Sequence, residues 1–169
     1  MKINFPLLAL AVGAFAIGTT EFSPMGFLPE IANDLSVSIP QAGLLISAYA
    51  VGVMIGAPLM TLWLARFPKK TALILLMAIF TIGNVLATVV PDYMSLMGAR
   101  LITSLNHGAF FGLGSVVAAS VVPKDKQASA VAMMFMGLTI ANIGGVPLAT
   151  WLSQNTLSLI HISEPTRLL

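Results

Sequence analysis

The sequence predicts an all-α membrane protein with five transmembrane helices. Three observations carry that prediction. Of 169 residues, 57% are hydrophobic and 8% charged, where an ordinary soluble domain has about 25% charged residues. The apolar residues gather into five runs, each long enough to cross the hydrocarbon core as a helix. The charges fall mostly between the runs, and their sign alternates from loop to loop.

The first span covers about residues 5–28 and contains Glu21. Lys2 ahead of an apolar stretch, with Ala14-Phe15-Ala16 behind it, has the form of a signal peptide. The apolar run continues to Leu28, however, and four more follow, which favours a retained helix. Glu30 and Asp34 occupy the next loop. The second span covers about residues 41–65 and is followed by Arg66, Lys69 and Lys70. The third covers about residues 71–90, and Pro91-Asp92 turns the chain. The fourth covers about residues 93–121. Within it Arg100, Ser104, His107, Phe111 and Ser115 share one helical stripe. Gly108 and Gly112 stand beside that stripe and allow a close helix approach. Pro123-Lys-Asp-Lys126 precedes the fifth span, about residues 127–152. Residues 1–154 therefore read as a partial transmembrane bundle. Residues 155–169 break the apolar pattern and resemble translated adaptor sequence, so they are expected to be non-native, although an ordinary exposed tail would have the same character. His161, Glu164 and Arg167 receive no functional role.

Basic residues mark the N-terminus and the loops after spans two and four; the other two loops hold acids alone. By the positive-inside rule the N-terminus is cytoplasmic and spans one, three and five run outward. The loops are too short for a separate soluble domain. Without cysteine there is no disulfide framework and no thiolate metal site. No HExxH, phosphate-binding P-loop or G-x-S-x-G occurs, so neither an enzyme nor a nucleotide-driven pump is signalled, and no cofactor or metal is expected. The basic residues are too scattered for nucleic acid. The expected surroundings are a lipid bilayer and a small-molecule substrate.

Three ionisable side chains lie inside the spans: Glu21, Arg100 and His107. Such residues are costly in hydrocarbon and must face protein or water. Counted from their span ends at 1.5 Å per residue, Glu21 and Arg100 both lie about 10 Å below the outer surface. They are expected to meet across the interior, with His107 nearer the midplane. If rocking of the bundle parts them, Glu21 changes its proton affinity with conformation, which couples protons to a solute. A static buried pair fixing helix register, or two snorkelling side chains, would look alike in sequence; a neutral packed histidine is likewise open for His107. Asn84, Asn106 and Asn142 either line a polar cavity or tie helices together. Gly52 and Gly56 read as close packing, and Pro58 and Pro147 as bends that could serve as gates.

Gly56-Ala-Pro58-Leu59-Met-Thr61 in span two echoes Gly145-Val-Pro147-Leu148-Ala-Thr150 in span five. Either small membrane residues coincide by chance, or an inverted repeat relates span one to four and two to five.

Four segments together carry a family likeness: Gly18-Thr-Thr-Glu21-Phe-Ser-Pro-Met-Gly26, Ser38-Ile-Pro-Gln-Ala-Gly43, Arg100 with His107-Gly-Ala-Phe-Phe-Gly112, and Ala141-Asn-Ile-Gly-Gly-Val-Pro147. Through them the chain resembles the N-terminal half of a major facilitator superfamily transporter of the bacterial drug and sugar efflux branch, over about residues 1–154. The resemblance implies five helices of a six-helix half, in an inner-membrane protein whose other half is the missing partner. It implies proton-coupled efflux of a drug, sugar or related metabolite between two such halves. It places Arg100 at a position implicated in proton coupling and Glu21 at the family's span-one acid; His107, Asn106 and Asn142 would line the cavity. Gly137, Gly145 and Pro147 fit a glycine–proline motif from which Ala141 and Asn142 depart. The loop with Arg66, Lys69 and Lys70 keeps the family's basic character, but Ala65 and Pro68 replace its aspartate and glycine. The rival reading is a non-transporting membrane-embedded assembly or regulatory protein; an intramembrane enzyme has little beyond one histidine behind it.

Overall fold

The computed structural model describes residues 4–90 and 92–163. The described chain is helical and contains no strand. Helix α1 (Phe5–Gly26) opens with Pro6 in its first turn, where a missing N–H costs nothing. A short helix α2 (Leu28–Asp34) follows where a loop was expected. Helix α3 (Ile39–Leu64) begins with a reciprocal cap: Ser38 and Gln41 each accept from the other's backbone N–H. Helix α4 (Lys69–Val89) and helix α5 (Tyr93–Ser120) come next. After a 3-10 turn at Lys124–Lys126, helix α6 (Gln127–Ile140) passes through one π turn (Ala141–Gly145) into helix α7 (Val146–Ser163). Five segments are thus long and apolar enough to cross a membrane.

The π turn has a local cause. Pro147 offers no N–H and its ring crowds the carbonyl four residues back. The Val146 N–H, one residue earlier, reaches back to the Ala141 carbonyl, widening the helix just before the proline. Pro58, by contrast, is carried inside an unbroken α3. Beyond the expected end of span five, the backbone stays helical to Ser163; residues 164–169 lie outside the described residues, and so does what was expected of that part of the tail.

Helix α5 is the axis of the bundle. Some 44% of its apolar window is buried, against 22–33% for the other four spans, because it packs on α1, α3, α4 and α6. Contacts fix the directions. Asn4 reaches Val121 at one end of α1 and Arg100 reaches Thr20 near the other, so α1 opposes α5. Tyr93 bonds the Gln41 carbonyl while Gly108 abuts Ala57, so α3 runs with α5. Asn106 bonds Leu76 and Thr103 packs on Gly83, so α4 opposes it. Gly137 lies on Ala11 and Gly145 on Thr19, so α6 follows α1. The spans alternate in direction, as the loop charges required. Moreover, Gly56 packs on α5 as Gly145 packs on α1. These interfaces, span two on four and span five on one, are counterparts under an inverted repeat.

The start of α5 offers a test at the membrane edge. Asp92 accepts from the Ser95 backbone N–H at 2.9 Å and from its hydroxyl at 2.8 Å. These bonds, the backbone one first, hold its carboxyl below the ordinary value of 3.8. A depressed folded value means the cap contributes fully above the unfolded value and is lost as pH falls through the folded one. Amide protection in the first turn of α5, measured against the intrinsic exchange rate at each pH, should therefore fall as pH drops below the ordinary carboxylate value. In Asp92→Ala the exchange should already be fast at neutral pH and show no acid step; an acid step surviving in that variant would refute the cap.

Candidate functional site

Three helices contribute to one polar cluster: α1 supplies Glu21, α3 Tyr49, and α5 both Arg100 and His107. Along a helix the Cα–Cβ bonds lean toward the N-terminus. Because α1 and α5 oppose each other, Glu21 leans toward the bundle middle while His107 leans the other way. Their side chains meet, with Glu21 Oε2 3.5 Å from His107 Nδ1. The expected direct pairing of Glu21 with Arg100 is therefore corrected: no ion pair joins them among the described residues, and the histidine two turns along α5 lies nearest the carboxylate instead.

Arg100 is 7% exposed. Its Nη1 donates to the Thr20 carbonyl at 3.0 Å, and its guanidinium lies 4.5 Å from the centre of the Tyr49 ring, a favourable cation–π stacking. Nε and Nη2 find no hydrogen-bond partner among the described residues, nor do Glu21 Oε2 and Ser23 Oγ. Tyr49 is 2% exposed and touches two residues of the α5 stripe. Its face carries Arg100, and its hydroxyl stands 3.2 Å from His107 Nδ1. From His107 the aromatic contacts continue to Phe111 at 5.0 Å between centroids, and from Phe111 to Phe135 at 5.1 Å.

Other expected site residues lie elsewhere. Asn106 is fully buried and donates to the Leu76 carbonyl at 3.0 Å, so it ties α5 to α4 rather than lining a cavity. Asn142 is exposed on the π turn and bonds back to the Leu138 carbonyl at 3.0 Å; it lines no space inside the five-span bundle. Asn84 bonds within its own helix. Gly108 abuts Ala57 of α3 as expected, whereas Gly112 meets no neighbour within 4 Å among the described residues. Gly145 fits against Thr19 and Phe15, directly before Pro147. In the loop, Arg66 donates to the Trp63 carbonyl at 2.8 Å and lies over that ring. Lys69 and Lys70 border an apolar groove of about 590 Å³ between α1, α4 and α5. It adjoins Leu10, Phe110 and Val121, toward the far end of α5 from Arg100, and shares no residue with the polar cluster.

Tyr49 is the residue the sequence reading missed. A signal existed: it is one of two tyrosines in the chain, and it precedes Gly52 and Gly56 at helical spacing, on the face that meets α5. Among the described residues, no three of His, Asp and Glu gather to hold a metal ion. What the cluster offers is a half-buried carboxylate, an imidazole, a phenol and a guanidinium near one another, supplied by three helices.

The comparisons with known proteins agree with this architecture. The family model described as Major Facilitator Superfamily matches residues 10–159. The inner membrane transport protein YdhP of Escherichia coli K12 is 76% identical over 91% of this chain and 40% of its own length. The MFS-type transporter YtbD of Bacillus subtilis 168 is 49% identical over 90% of the chain and 39% of its own length. A chloramphenicol resistance protein of Streptomyces lividans is 36% identical over 87% of the chain and 38% of its own length. The chain thus spans about 40% of the length of the curated relatives it matches.

Proposed function

This chain belongs to the Major Facilitator Superfamily, and on that premise we propose that it forms most of the N-terminal half of a secondary transporter that exports a small molecule in exchange for protons. The membrane is a bacterial inner membrane, with the N-terminus in the cytoplasm. That siting is supported by the name of the relative YdhP, an inner membrane transport protein, and by the basic loops around Arg66 and Lys124. Export is supported by the resistance protein among the relatives.

One observation carries the reading. The Glu21 carboxylate is 22% exposed and faces His107, with Arg100 on the same α5 stripe two turns away. Intramembrane ionisable residues that face one another inside a bundle default to transport chemistry. Glu21 is the protonation site, Arg100 adjusts it, and His107 is its contact. The substrate path needs a second half to rock against this one, so the test uses the full-length protein in proteoliposomes. Glu21→Gln should lower efflux driven by a proton gradient about a hundredfold, the order of one positioned proton-transfer group, and uncouple it from external pH. Unchanged coupled efflux in that variant would refute the assignment; a protein that inserts and folds but moves no solute under any gradient would favour a non-transporting role.

A further inference from the structure

We propose that His107 and Tyr49 form a relay that loads the proton onto Glu21, with His107 taking it at Nε2 and passing one on from Nδ1. The inference rests on Glu21 being the protonation site.

Two oxygens stand at the single position of His107 Nδ1: Tyr49 Oη, hydrogen-bonded at 3.2 Å, and Glu21 Oε2, at 3.5 Å and not yet bonded. Nδ1 is either a donor or an acceptor, never both. When Glu21 is a carboxylate, a small turn of the imidazole closes the 3.5 Å gap with hydrogen on Nδ1 aimed at Oε2, since charge-assisted bonds are the stronger ones. When Glu21 is a neutral acid, Nδ1 is free to accept, and the Tyr49 hydroxyl donates to it. The imidazole is 14% exposed. Its Nδ1 edge is occupied and Phe111 lies tilted against the ring at 5.0 Å, so Nε2 is the edge through which a proton arrives.

The step balances. A proton binds Nε2 and gives an imidazolium; the Nδ1 hydrogen passes to Glu21 Oε2. The imidazole is left neutral with its hydrogen on Nε2, and the carboxylate has become an acid. The Tyr49 hydroxyl then closes on the emptied Nδ1, and release runs the sequence backward. The groups facing His107 are Glu21 from α1, Tyr49 from α3 and, farther along its own helix, Arg100. The α4 and α6 faces packed on α5 bring no titratable side chain to it. Tyr49 acts as a positioning residue, kept in place by the guanidinium on its ring.

Histidine ¹⁵N NMR of the full chain in lipid bilayers reads the tautomer directly, the His107 signal being assigned by its loss in His107→Gln. In the wild-type chain the hydrogen should move from Nδ1 to Nε2 on acidification, and Glu21→Gln should hold it on Nε2 at every pH. The same tautomer in both proteins across the whole range overturns the relay. In the full-length transporter, His107→Gln should slow proton-driven efflux about a hundredfold, far more than it slows substrate exchange. Tyr49→Phe keeps the ring and should shift the pH profile by roughly fivefold in proton activity, the worth of one hydrogen bond; a uniform loss at all pH marks a structural role and overturns this part. If Glu21→Gln abolishes coupling while His107→Gln and Tyr49→Phe behave as wild type, the relay alone fails. If Glu21→Gln leaves coupling intact, relay and protonation site fall together.

Discussion

Gly137→Ala is expected to force α1 away from α6 and to cost about 3 kcal/mol of stability, the upper end of ordinary overpacking. A Cβ at position 137 would run into the Ala11 carbonyl oxygen, come within 2.8 Å of the carbonyl carbon, and lie 3.0 Å from the Phe15 nitrogen. All three are backbone atoms, so no side chain can swing aside; one helix has to move. The loss should appear even though alanine favours a helix over glycine by up to about 1 kcal/mol. Two controls isolate the cause. At Gly114 the same methyl group would meet the terminal Cε of Met134 at 2.5 Å, a flexible end that can rotate away, so Gly114→Ala should cost far less. At Gly112 nothing lies within 4 Å, and Gly112→Ala should be neutral or slightly stabilising. Denaturant unfolding of the purified chain in mixed micelles checks all three. Equal losses at positions 112 and 137 would show that the helix pair is not as close as described.

The pattern of glycines also shows what could be read before the structure and what could not. The spans were legible because each needs about 20 apolar residues and few charges, and their alternating direction because basic residues mark every second loop. Spacing marked both Gly108 and Gly112 as packing sites, yet among the described residues only Gly108 meets a partner. Which glycine of a stripe faces a neighbour depends on where the crossing falls, and a single sequence does not say. The site failed in a similar way. Equal depths of Glu21 and Arg100 were counted along the helix axes, which ignores the lean of the side chains. On opposed helices that lean separates residues at one height and joins residues two turns apart, so Glu21 meets His107. Asn106 and Asn142 were equivalent as amides in apolar spans; only packing distinguishes the one sealed against α4 from the one left exposed on the π turn. Tyr49 passed unnoticed because an aromatic ring in a membrane helix reads as filling. The glycines at its own spacing, which bring α3 onto α5, were the overlooked clue.

Arg100→Ala is expected to be the most damaging single change to the cluster, and its rescue by a second change is the sharper test. The guanidinium makes two dissimilar contacts at once, an in-plane bond to the Thr20 carbonyl and a stacked contact with the Tyr49 ring. It therefore ties α1, α3 and α5 together through one side chain. Its charge sits on the carbonyl of Thr20, the chain neighbour of Glu21. Removing it breaks a charge-assisted bond to the Thr20 carbonyl and the stacked contact with the Tyr49 ring, a loss of about 2–4 kcal/mol for the two together, and leaves the Glu21 carboxylate with no cation near it. Adding Glu21→Gln to Arg100→Ala removes the stranded charge, so the double variant should be more stable than Arg100→Ala alone, with a coupling of more than about 1 kcal/mol between the two sites. Arg100→Lys should fall between, since an ammonium can reach either the carbonyl or the ring but cannot fit both as the planar fork does. Proton-driven efflux by the full-length protein should be lost in all three, stability recovered or not. Strict additivity in unfolding experiments would mean that Glu21 and Arg100 do not share one electrostatic site. Efflux returning with stability in the double variant would mean that the two charges hold the helices together and take no part in moving protons.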